Sequence, residues 1–257
     1  MPVLDSDSMQ LYLNSKYAVI KPNNGDTGFC IFEYPMITLP DNKYIYLSMV
    51  TATIPYSFYS INNNNNGLHF LDNSGNSYQF QVPEGNYNIY QLRTAILAEL
   101  GFGWDISYNA VSNKVRFDLS LAVCSGFTMY ADGTLNHALG FSETQNTVSD
   151  ASGSVTSVTG INLNQIRAIN VEIDMPSNSV NVAQPNNINI LATIPVSVQP
   201  YGMINWTNTN NFRVNMYCQQ MNMIKVKFID NQGNLINMNG VNWQATMQLD
   251  CVNFVDV

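Results

Sequence analysis

The chain has 257 residues, of which 46% are hydrophobic and only 11% are charged, and its formal net charge is −8. This length suits one large β domain or one domain that carries a sizeable insertion. Binding to a nucleic acid backbone requires clustered Lys and Arg, whereas the tightest basic pairs are Lys114 with Arg116 and Lys225 with Lys227, which argues against direct nucleic acid binding.

Asparagine fills much of the share that charged residues usually take. Its side chain suits turns and left-handed backbone positions, and it forms neutral surfaces that hydrogen-bond to other proteins. A surface that is polar without being charged favours a protein that packs against copies of itself or against partners.

The N-terminal sequence, MPVLDSDSMQ, is acidic and lacks the basic and apolar regions of a signal peptide. No apolar run approaches the length of about 18 residues that a membrane span needs, so no span is predicted. Residues 1–27 are interpreted as an N-terminal arm. Its first 12 or so residues are expected to be disordered in the isolated protein and ordered only against neighbouring proteins, because no partner strand is evident for them.

The four cysteines, Cys30, Cys124, Cys218 and Cys251, are widely spaced and form no CxxC pair. All except Cys124 fall in strand-like runs, where Cys is usually a small buried apolar residue. Free thiols are therefore favoured over disulfides or metal ligands. This pattern fits a protein that is made and used in a reducing cytoplasmic compartment.

Two strands are predicted early in the chain, over residues 29–34, closed by Pro35, and over residues 44–54, ended by Pro55. The second is largely apolar on both of its faces, which predicts a strand buried on both sides. Five asparagines follow at 62–66. They are interpreted as the place where the chain leaves one module for another, and a long solvated loop within one sheet is the alternative.

Residues 62–150 predict a compact module of hairpin, helix and hairpin. The first hairpin turns at Asp72-Asn73-Ser74-Gly75, and the second is WDISYNAVSNKVRFDL. The helix over 89–100 has Asn88 and Gln91 as a capping box and ends at Gly101. Its apolar stripe, which is expected to pack on the hairpins, is Ile89, Leu92, Ile96, Leu97 and Leu100. Residues 142–160 predict a long loop or a flexible arm.

The last third of the chain alternates between apolar and polar residues with a period of two. This pattern recurs in five segments, at 166–174, 188–198, 212–218, 223–230 and 243–251. A period of two predicts half-buried antiparallel strands. Because no helices lie between them, these strands indicate a β-sandwich or a barrel.

No catalytic, cofactor-binding or metal-binding residue is predicted, and the chain is not expected to be an enzyme. His69 and His137 have no second His or Cys at metal spacing, and the sequence has no GxSxG, no phosphate-binding glycine loop and no HExxH. Asp5 and Asp7 lack the Gly and distal Glu of a calcium loop. Glu172 and Asp174 share a strand face, as ordinary solvated charges do.

The order of segments resembles the penton, or vertex capsid, proteins of virophages (the Sputnik and Mavirus kind) and of related Polinton-like viruses. The resemblance covers most of the chain and depends on the order of its parts. Those parts are LYLNSK at 11–16, PMITLPDNKYIYLSMVTATIPYSFYSINNNNNGL at 35–68, VPEGNYNIYQLRTAILAEL at 82–100, HALGFSE at 137–143, NILATIPVSVQPYGMINW at 189–206 and IKVKFIDNQGNLINMNGVNWQATMQL at 224–249.

The resemblance implies an all-β chain with a single jelly-roll β-sandwich, formed by residues 28–61 and 151–257 and interrupted by a small α+β module at 62–150. It implies a structural protein of an icosahedral dsDNA virus, assembled in the cytoplasmic viral factory of the host. Five copies would form a homopentamer at each vertex, among trimers of a double-jelly-roll major capsid protein. Because the N-terminal arm is acidic, it would anchor to neighbouring capsid protein instead of the genome.

The alternative function is a carbohydrate-binding jelly roll or a viral attachment protein. Exposed Trp104, Trp206 or Tyr201 would then stack on sugar rings. The insertion would be the place for a host receptor or glycan. A glycoside hydrolase is a third, weaker alternative, because it needs two carboxylates that face each other across a cleft.

Overall fold

The computed structural model describes residues 7–38, 43–174, 189–216 and 220–253. The chain divides into two compact units, one made of residues 1–58 and 166–257 and the other of residues 59–165. We call them the jelly-roll unit and the inserted unit. The jelly-roll unit begins with β1 (Asp7–Asn14), β2 (Phe29–Thr38) and β3 (Lys43–Pro55).

The inserted unit and the rest of the jelly-roll unit follow in chain order. The inserted unit contains β4 (Gly67–Asp72), β5 (Ser77–Gln81), α1 (Ile89–Leu100), β6 (Trp104–Asn109), β7 (Lys114–Leu119), β8 (Phe127–Met129), α2 (Asn136–Leu139), β9 (Thr147–Val148) and β10 (Ser154–Thr156). The jelly-roll unit resumes with β11 (Ala168–Ile173), β12 (Ile190–Pro195), β13 (Met203–Thr207), β14 (Val214–Met216), β15 (Gln220–Ile229) and β16 (Gln244–Asn253).

The strand order of the jelly-roll unit identifies its fold. One sheet has the order β1-β16-β3-β13, with β14 also paired to β3, and the other has the order β12-β11-β15-β2. If β13 and β14 are counted as two halves of the sixth strand, these orders are 1-8-3-6 and 5-4-7-2. Eight antiparallel strands alternating between two sheets in this way form a jelly roll. The predicted all-β jelly-roll fold is therefore confirmed.

The core of the jelly-roll unit lies between the inward faces of its two sheets. Trp243 is fully buried there, with its ring centroid 4.7 Å from that of Phe228 and 5.8 Å from that of Phe32. Its Nε1 donates a hydrogen bond of 2.6 Å to the backbone oxygen of Thr27, so the indole is buried without an unpaired donor. The predicted alternation of β16 is confirmed, since Ala245, Met247 and Leu249 face this core.

The prediction that the second strand is buried on both faces is wrong. Along β3, the buried residues Ile45, Leu47 and Met49 alternate with more exposed ones, and the buried set then shifts to Ala52 and Ile54. A register irregularity between β3 and β16 accompanies the shift, because Met247 pairs with Met49 and Thr246 with Thr51. A β-bulge moves the side-chain alternation by one residue. The buried apolar residues of this half-buried strand therefore fall on both sides of a strict two-residue alternation.

The prediction of a disordered N-terminal arm is wrong for residues 7–12. They belong to β1, which pairs with β16 from Asp7 opposite Cys251 to Asn14 opposite Gln244. Leu11 and Leu13 pack against the core of the sandwich. The partner strand lies at the other end of the sequence, so no local pattern revealed it. Residues 1–6 lie outside the described residues.

Pro35 does not end the first predicted strand, because β2 continues to Thr38. The strand is at the edge of its sheet, where a residue without an N–H group is tolerated. Opposite Pro35 the register is irregular, with Met223 paired to Glu33 and Met221 paired to Ile37. The bulge accommodates the proline without interrupting the strand.

The inserted unit has its own core, formed by two small sheets and α1. The sheet orders are β10-β7-β6 and β5-β4-β8-β9. The helix prediction is confirmed, including the reciprocal hydrogen bonds between Asn88 and Gln91 and the cap at Gly101. The buried side chains of the helix belong to the same core as the strands of both sheets, and Leu97 packs against it while half-buried.

The ends of the inserted unit, at 59 and 165, lie outside the expected 62–150. Residues 142–160 do not form a flexible arm, since they contain β9 and β10, which pair with β8 and β7. Between these strands Asp150 accepts hydrogen bonds from the backbone N–H groups of Ser152 and Ser154, so that the segment turns tightly. The Ser, Thr and Gly residues of this segment, whose composition predicted a flexible loop or arm, therefore lie in strands and turns.

The asparagine tract is an ordered turn inside the inserted unit. The Asn62 N–H donates to Asn65 Oδ1 at 2.7 Å, and Asn65 Nδ2 donates to the backbone oxygen of Ser60 at 2.9 Å. Asn66 is buried, and its Nδ2 donates to the backbone oxygen of Val82 at 2.7 Å. In this turn, asparagine side chains supply the hydrogen bonds that the turning backbone would otherwise lack.

The thiol prediction is confirmed for Cys30, Cys124 and Cys251, which are thiols and not members of a disulfide. Cys218 lies outside the described residues. Burial raises the pKa of the Cys30 thiol to about 12, so this cysteine is an apolar core residue and not a nucleophile.

Candidate functional site

The groups that catalysis or metal binding would need are scattered over the molecule. Across the described ranges, no three His, Cys, Asp or Glu side chains come together in a way that would hold a metal ion. No helix in these ranges is long and apolar enough to cross a membrane. Asp5 lies outside the described residues. Glu172 on β11 and Asp174 directly after this strand form ion pairs with Lys227 and Lys225 of β15 at 2.7 and 2.6 Å.

His69 is held in a polar network on the surface of the inserted unit. Its ring stacks on Tyr130 with centroids 4.2 Å apart, and its Nδ1 lies 3.1 Å from Asp132. Its Nε2 is 3.5 Å from Ser77 Oγ, which is longer than the reach of about 2.6–3.2 Å that activates a nucleophile. Ser77 is also exposed, and its strand β5 is at the edge of its sheet. His69, Asp132 and Ser77 therefore form a polar network on the surface. His137 and Glu143 form a separate, exposed ion pair.

The three aromatic residues that were considered for stacking on sugar rings lie in three different environments. Trp104 is buried in the core of the inserted unit, against Phe70 and Phe127, so it offers no face to a ligand. Trp206 is half-buried and packs against the core of the jelly roll. Tyr201 is 83% exposed, with a positive φ of 69°. Trp104 belongs to the inserted unit, whereas Trp206 and Tyr201 belong to the jelly-roll unit.

The first candidate contact surface is a groove of about 700 Å³ beside β12, which we call the side groove. Its lining residues are Ile190, Leu191, Ala192, Thr193, Trp206, Thr207, Asn208, Thr209, Asn210 and Phe212. None of them is ionisable, and Phe212 is 54% exposed. An uncharged groove with an accessible aromatic ring has the composition of the centre of a protein interface.

The strand along the side groove also presents backbone groups. In the described part of its sheet β12 is the edge strand. The Val196 N–H donates to the backbone oxygen of Arg167 at 2.9 Å, and in an antiparallel ladder every second residue bonds to the partner. Thr193 therefore directs its backbone N–H and C=O away from β11. These groups are available to a strand or loop of another molecule.

The second candidate surface is a depression of about 470 Å³ on the outer face of the first sheet, which we call the polar depression. The Arg213 guanidinium lies 4.4 Å from the ring centroid of Tyr46 and 3.9 Å from Asp250 Oδ2. Asp250 Oδ1 accepts hydrogen bonds from Ser8 Oγ at 2.6 Å and Gln248 Nε2 at 2.8 Å. This network fixes polar groups of both charges on the sheet surface.

A short loop, residues 208–212, lies between the side groove and the polar depression, and hydrogen bonds hold its two ends together. Asn208 lines both of them. Its side chain accepts a hydrogen bond from the Phe212 N–H at 3.0 Å and donates one to the Phe212 oxygen at 2.7 Å. Asn208 and Phe212 were not predicted from the sequence to be functional residues. The signal was an asparagine-rich loop, TNTNNF, that ends in an aromatic residue beside a strand.

Comparisons with known proteins found similar solved structures. The chain is similar to the mavirus penton protein, with 13% sequence identity and a TM-score of 0.48, covering 95% of this chain and 99% of that one. It is also similar to a chain in the cryo-EM structure of the Sputnik virophage, with 15% identity and a TM-score of 0.43, covering 97% and 98%. No family model and no curated protein matches the chain. The assignment of the jelly roll depends on the strand order alone.

Proposed function

We propose that the chain is a structural protein of a viral capsid and acts as a penton, with five copies closing each vertex of an icosahedral dsDNA virus. The observation that supports this most is an uncharged side groove at the edge of a jelly-roll unit. The order of sequence segments that resembles penton proteins adds to it. In this function the protein resides in the virion, is assembled in the host cytoplasm and is not an enzyme.

The two flanks of the jelly-roll unit differ in a way that suits a ring. One flank carries the side groove. The opposite flank carries the edge strands β1 and β2 of the described sheets. Its exposed large apolar side chains are Met9, Tyr12, Tyr17, Val19, Ile20 and Met36. In a closed ring each copy presents one patch to a different patch on the next copy. We expect the β1–β2 flank of one copy to cover the side groove of its neighbour.

The major capsid protein is the second proposed partner. The polar depression offers both donors and acceptors at the surface, which suits a hydrogen-bonded contact with a neighbouring capsid protein. Residues 1–6 are acidic and apolar in composition. They are proposed to anchor to capsid protein instead of the genome, since they carry no Lys or Arg for phosphate contacts.

Native mass spectrometry of the purified chain tests this function. The expected species is a pentamer, or a monomer that becomes incorporated at vertices when a double-jelly-roll capsid protein from the same genome is co-expressed. Electron microscopy of the particles locates the chain. A stable dimer or trimer that persists from low to high salt would contradict the vertex role, because neither closes a fivefold ring.

A further inference from the structure

The inserted unit carries a small cleft that the capsid role does not use. It lies between the N-terminal half of α1 and the strand β6, and its volume is about 240 Å³. Its lining includes Tyr90, Arg93, Asp105, Ser107 and Tyr108. All residues of the inserted unit are described, so the lining of the cleft within this unit is complete.

Two tyrosine rings form the aromatic wall of the cleft. Tyr90 is 64% exposed, whereas Trp104 and Phe127 of the same unit are buried. Its ring is perpendicular to that of Tyr108, with centroids 6.3 Å apart. The Tyr108 hydroxyl donates a hydrogen bond to Asn113 Oδ1 at 3.1 Å, which holds that ring in place. The wall is therefore an accessible aromatic face supported by a fixed neighbour.

A charged pair beside these rings supplies hydrogen-bonding groups. Arg93 Nη2 donates to Asp105 Oδ1 at 2.7 Å, and the Ile106 N–H donates to the same oxygen at 2.8 Å. The hydrogen bond from Arg93 lowers the pKa of Asp105, so the carboxylate stays an acceptor at neutral pH. Both side chains of the pair are partly exposed, at 42% and 61%.

Several polar atoms in the cleft have unused hydrogen-bonding capacity. Among the described residues, only Nη2 of the Arg93 guanidinium has a hydrogen-bond partner. No described residue donates to Asp105 Oδ2, and none bonds to Ser107 Oγ. The cleft thus combines a free guanidinium donor, a free carboxylate acceptor and a hydroxyl that serves as either.

We propose that this cleft binds a neutral pyranose, the terminal sugar residue of a glycan. A pyranose presents a face of C–H groups, which suits the electron-rich face of a tyrosine ring. Its ring hydroxyls are both donors and acceptors, which suits Arg93, Asp105 and Ser107 together. The small volume of the cleft limits the ligand to about one sugar ring.

The charge of the cleft selects a neutral ligand over an anionic one. Asp105 offsets the charge of Arg93 at 2.7 Å, and Asp105 itself lines the cleft. A carboxylate or phosphate on the ligand would meet this oxygen as a like charge. We therefore expect discrimination against sialic acid and sugar phosphates. If the chain is a penton, which is the proposed function, the inserted unit would attach the virion to a surface glycan.

Saturation-transfer NMR on the full chain tests the cleft without any capsid assembly. The probes are methyl glycosides of glucose, galactose, mannose and N-acetylglucosamine, with N-acetylneuraminic acid as the charged comparison. We expect transfer from at least one neutral glycoside with a Kd of about 1 mM, the range for a single small ligand. Tyr90→Ala and Asp105→Asn are expected to weaken binding about tenfold or more.

The matched control is Phe102→Ala, because Phe102 is a 93% exposed aromatic residue of the same unit and does not line the cleft. This control should bind the glycoside like the unmodified chain. Absence of transfer from every neutral glycoside at about ten times that Kd would overturn the proposal. So would binding that survives Tyr90→Ala, or a preference for N-acetylneuraminic acid. Capsid incorporation is a separate measurement, so failure here leaves the vertex role to its own test.

Discussion

Asp26 Oδ2 accepts a hydrogen bond of 3.0 Å from the backbone N–H of Gly240, joining the segment before β2 to the segment before β16. The other oxygen of the same carboxylate accepts from the N–H groups of Gly28 at 2.7 Å and Met238 at 3.0 Å. Three backbone donors on two distant segments therefore depend on one side chain. This clamp lies beside Trp243, whose indole donates to Thr27.

Asp26→Ala should lower the free energy of unfolding of the jelly-roll unit by about 2–4 kcal/mol, because hydrogen bonds to a charged group are lost and their donors have no replacement. Chemical denaturation monitored by Trp fluorescence measures this change. Asp174→Ala is the control, since it removes a carboxylate whose ion pair is largely exposed, and it should cost less than about 1 kcal/mol. Equal effects of the two variants would contradict the clamp.

Gly28→Ala should be among the most damaging single substitutions in the chain. A Cβ at this position would lie 2.0 Å from the backbone oxygen of Ile236, so the two segments would have to separate. We expect a loss of about 3 kcal/mol or more. Gly25→Ala is the matched control, because Gly25 has a φ of +82° but no atom within 4 Å of its Cβ position. Backbone strain alone should cost about 1–2 kcal/mol there, and a larger loss than at Gly28 would refute the steric argument.

Local patterns predicted the parts of the fold that local chemistry determines. The capping box at Asn88 and the alternation of β15 and β16 depend on residues that are close in sequence. Pairing between distant segments was not predictable in this way. For example, β1 is a strand only because residues 244–251 lie beside it. Pro35 and the bulge in β3 were misread because an edge position and a register shift are properties of the sheet, not of the strand.

The candidate surfaces were less predictable than the fold. The side groove combines residues 190–193 with residues 206–212, and the cleft combines one face of α1 with β6. A helical wheel places Tyr90 beside Arg93 and away from the apolar stripe. This exposed aromatic residue next to a charged one was the only indication of the cleft in the sequence. The partner residues Asp105 and Tyr108 come from the next strand, whose position beside the helix depends on the packing of the whole unit.

Ile96→Ala should destabilise the inserted unit by about 2–5 kcal/mol, since a large side chain that is 1% exposed would leave a cavity. Denaturant unfolding followed by far-UV circular dichroism measures the change. Glu99→Ala on the exposed face of the same helix is the control and should stay within about 0.5 kcal/mol. A similarly small effect of Ile96→Ala would mean that the helix does not contribute to the core of this unit.

The turn after β4 should make stability depend on pH through Asp72. Burial alone would raise the pKa of Asp72, but hydrogen bonds from Asn76, Ser74 and Tyr78 outweigh it and hold the pKa below its ordinary value of 3.8. A carboxyl group whose pKa is lowered by folding stabilises the folded state above its unfolded pKa, and this contribution is lost as the pH falls through the folded pKa. Asp72 should therefore contribute fully at pH 7 and progressively less below about pH 4.

Comparison of unfolding at pH 7 and at about pH 3 tests this dependence on Asp72. Asp72→Asn should lose stability at pH 7, while the difference between the two pH values should become smaller than in the unmodified chain. Asn76→Ala should have the same sign and a smaller effect, because it removes the hydrogen bond from Asn76 Nδ2 to the carboxylate but keeps the one from the backbone N–H of residue 76. An unchanged pH dependence in Asp72→Asn would show that other carboxyl groups account for acid unfolding.

The last prediction concerns the flanks of the jelly-roll unit. Phe212→Asp would place a charge in a groove that has no ionisable lining residue, where a neighbouring copy could not pair it. Burying an unpaired charge at an interface costs several kcal/mol per contact, so ring formation or incorporation into particles should fall by about 100-fold or more. The monomer should remain stable, because Phe212 is 54% exposed.

Native mass spectrometry at several concentrations, or the yield of particles that contain the chain, measures this effect. Val111→Asp is the matched control, because it adds the same charge at a 98% exposed apolar position of the inserted unit. The control should assemble like the unmodified chain, and added salt should change assembly little, since few ion pairs would be screened. If Phe212→Asp assembles normally, or if Val111→Asp fails equally, the side groove is not the contact that closes the ring.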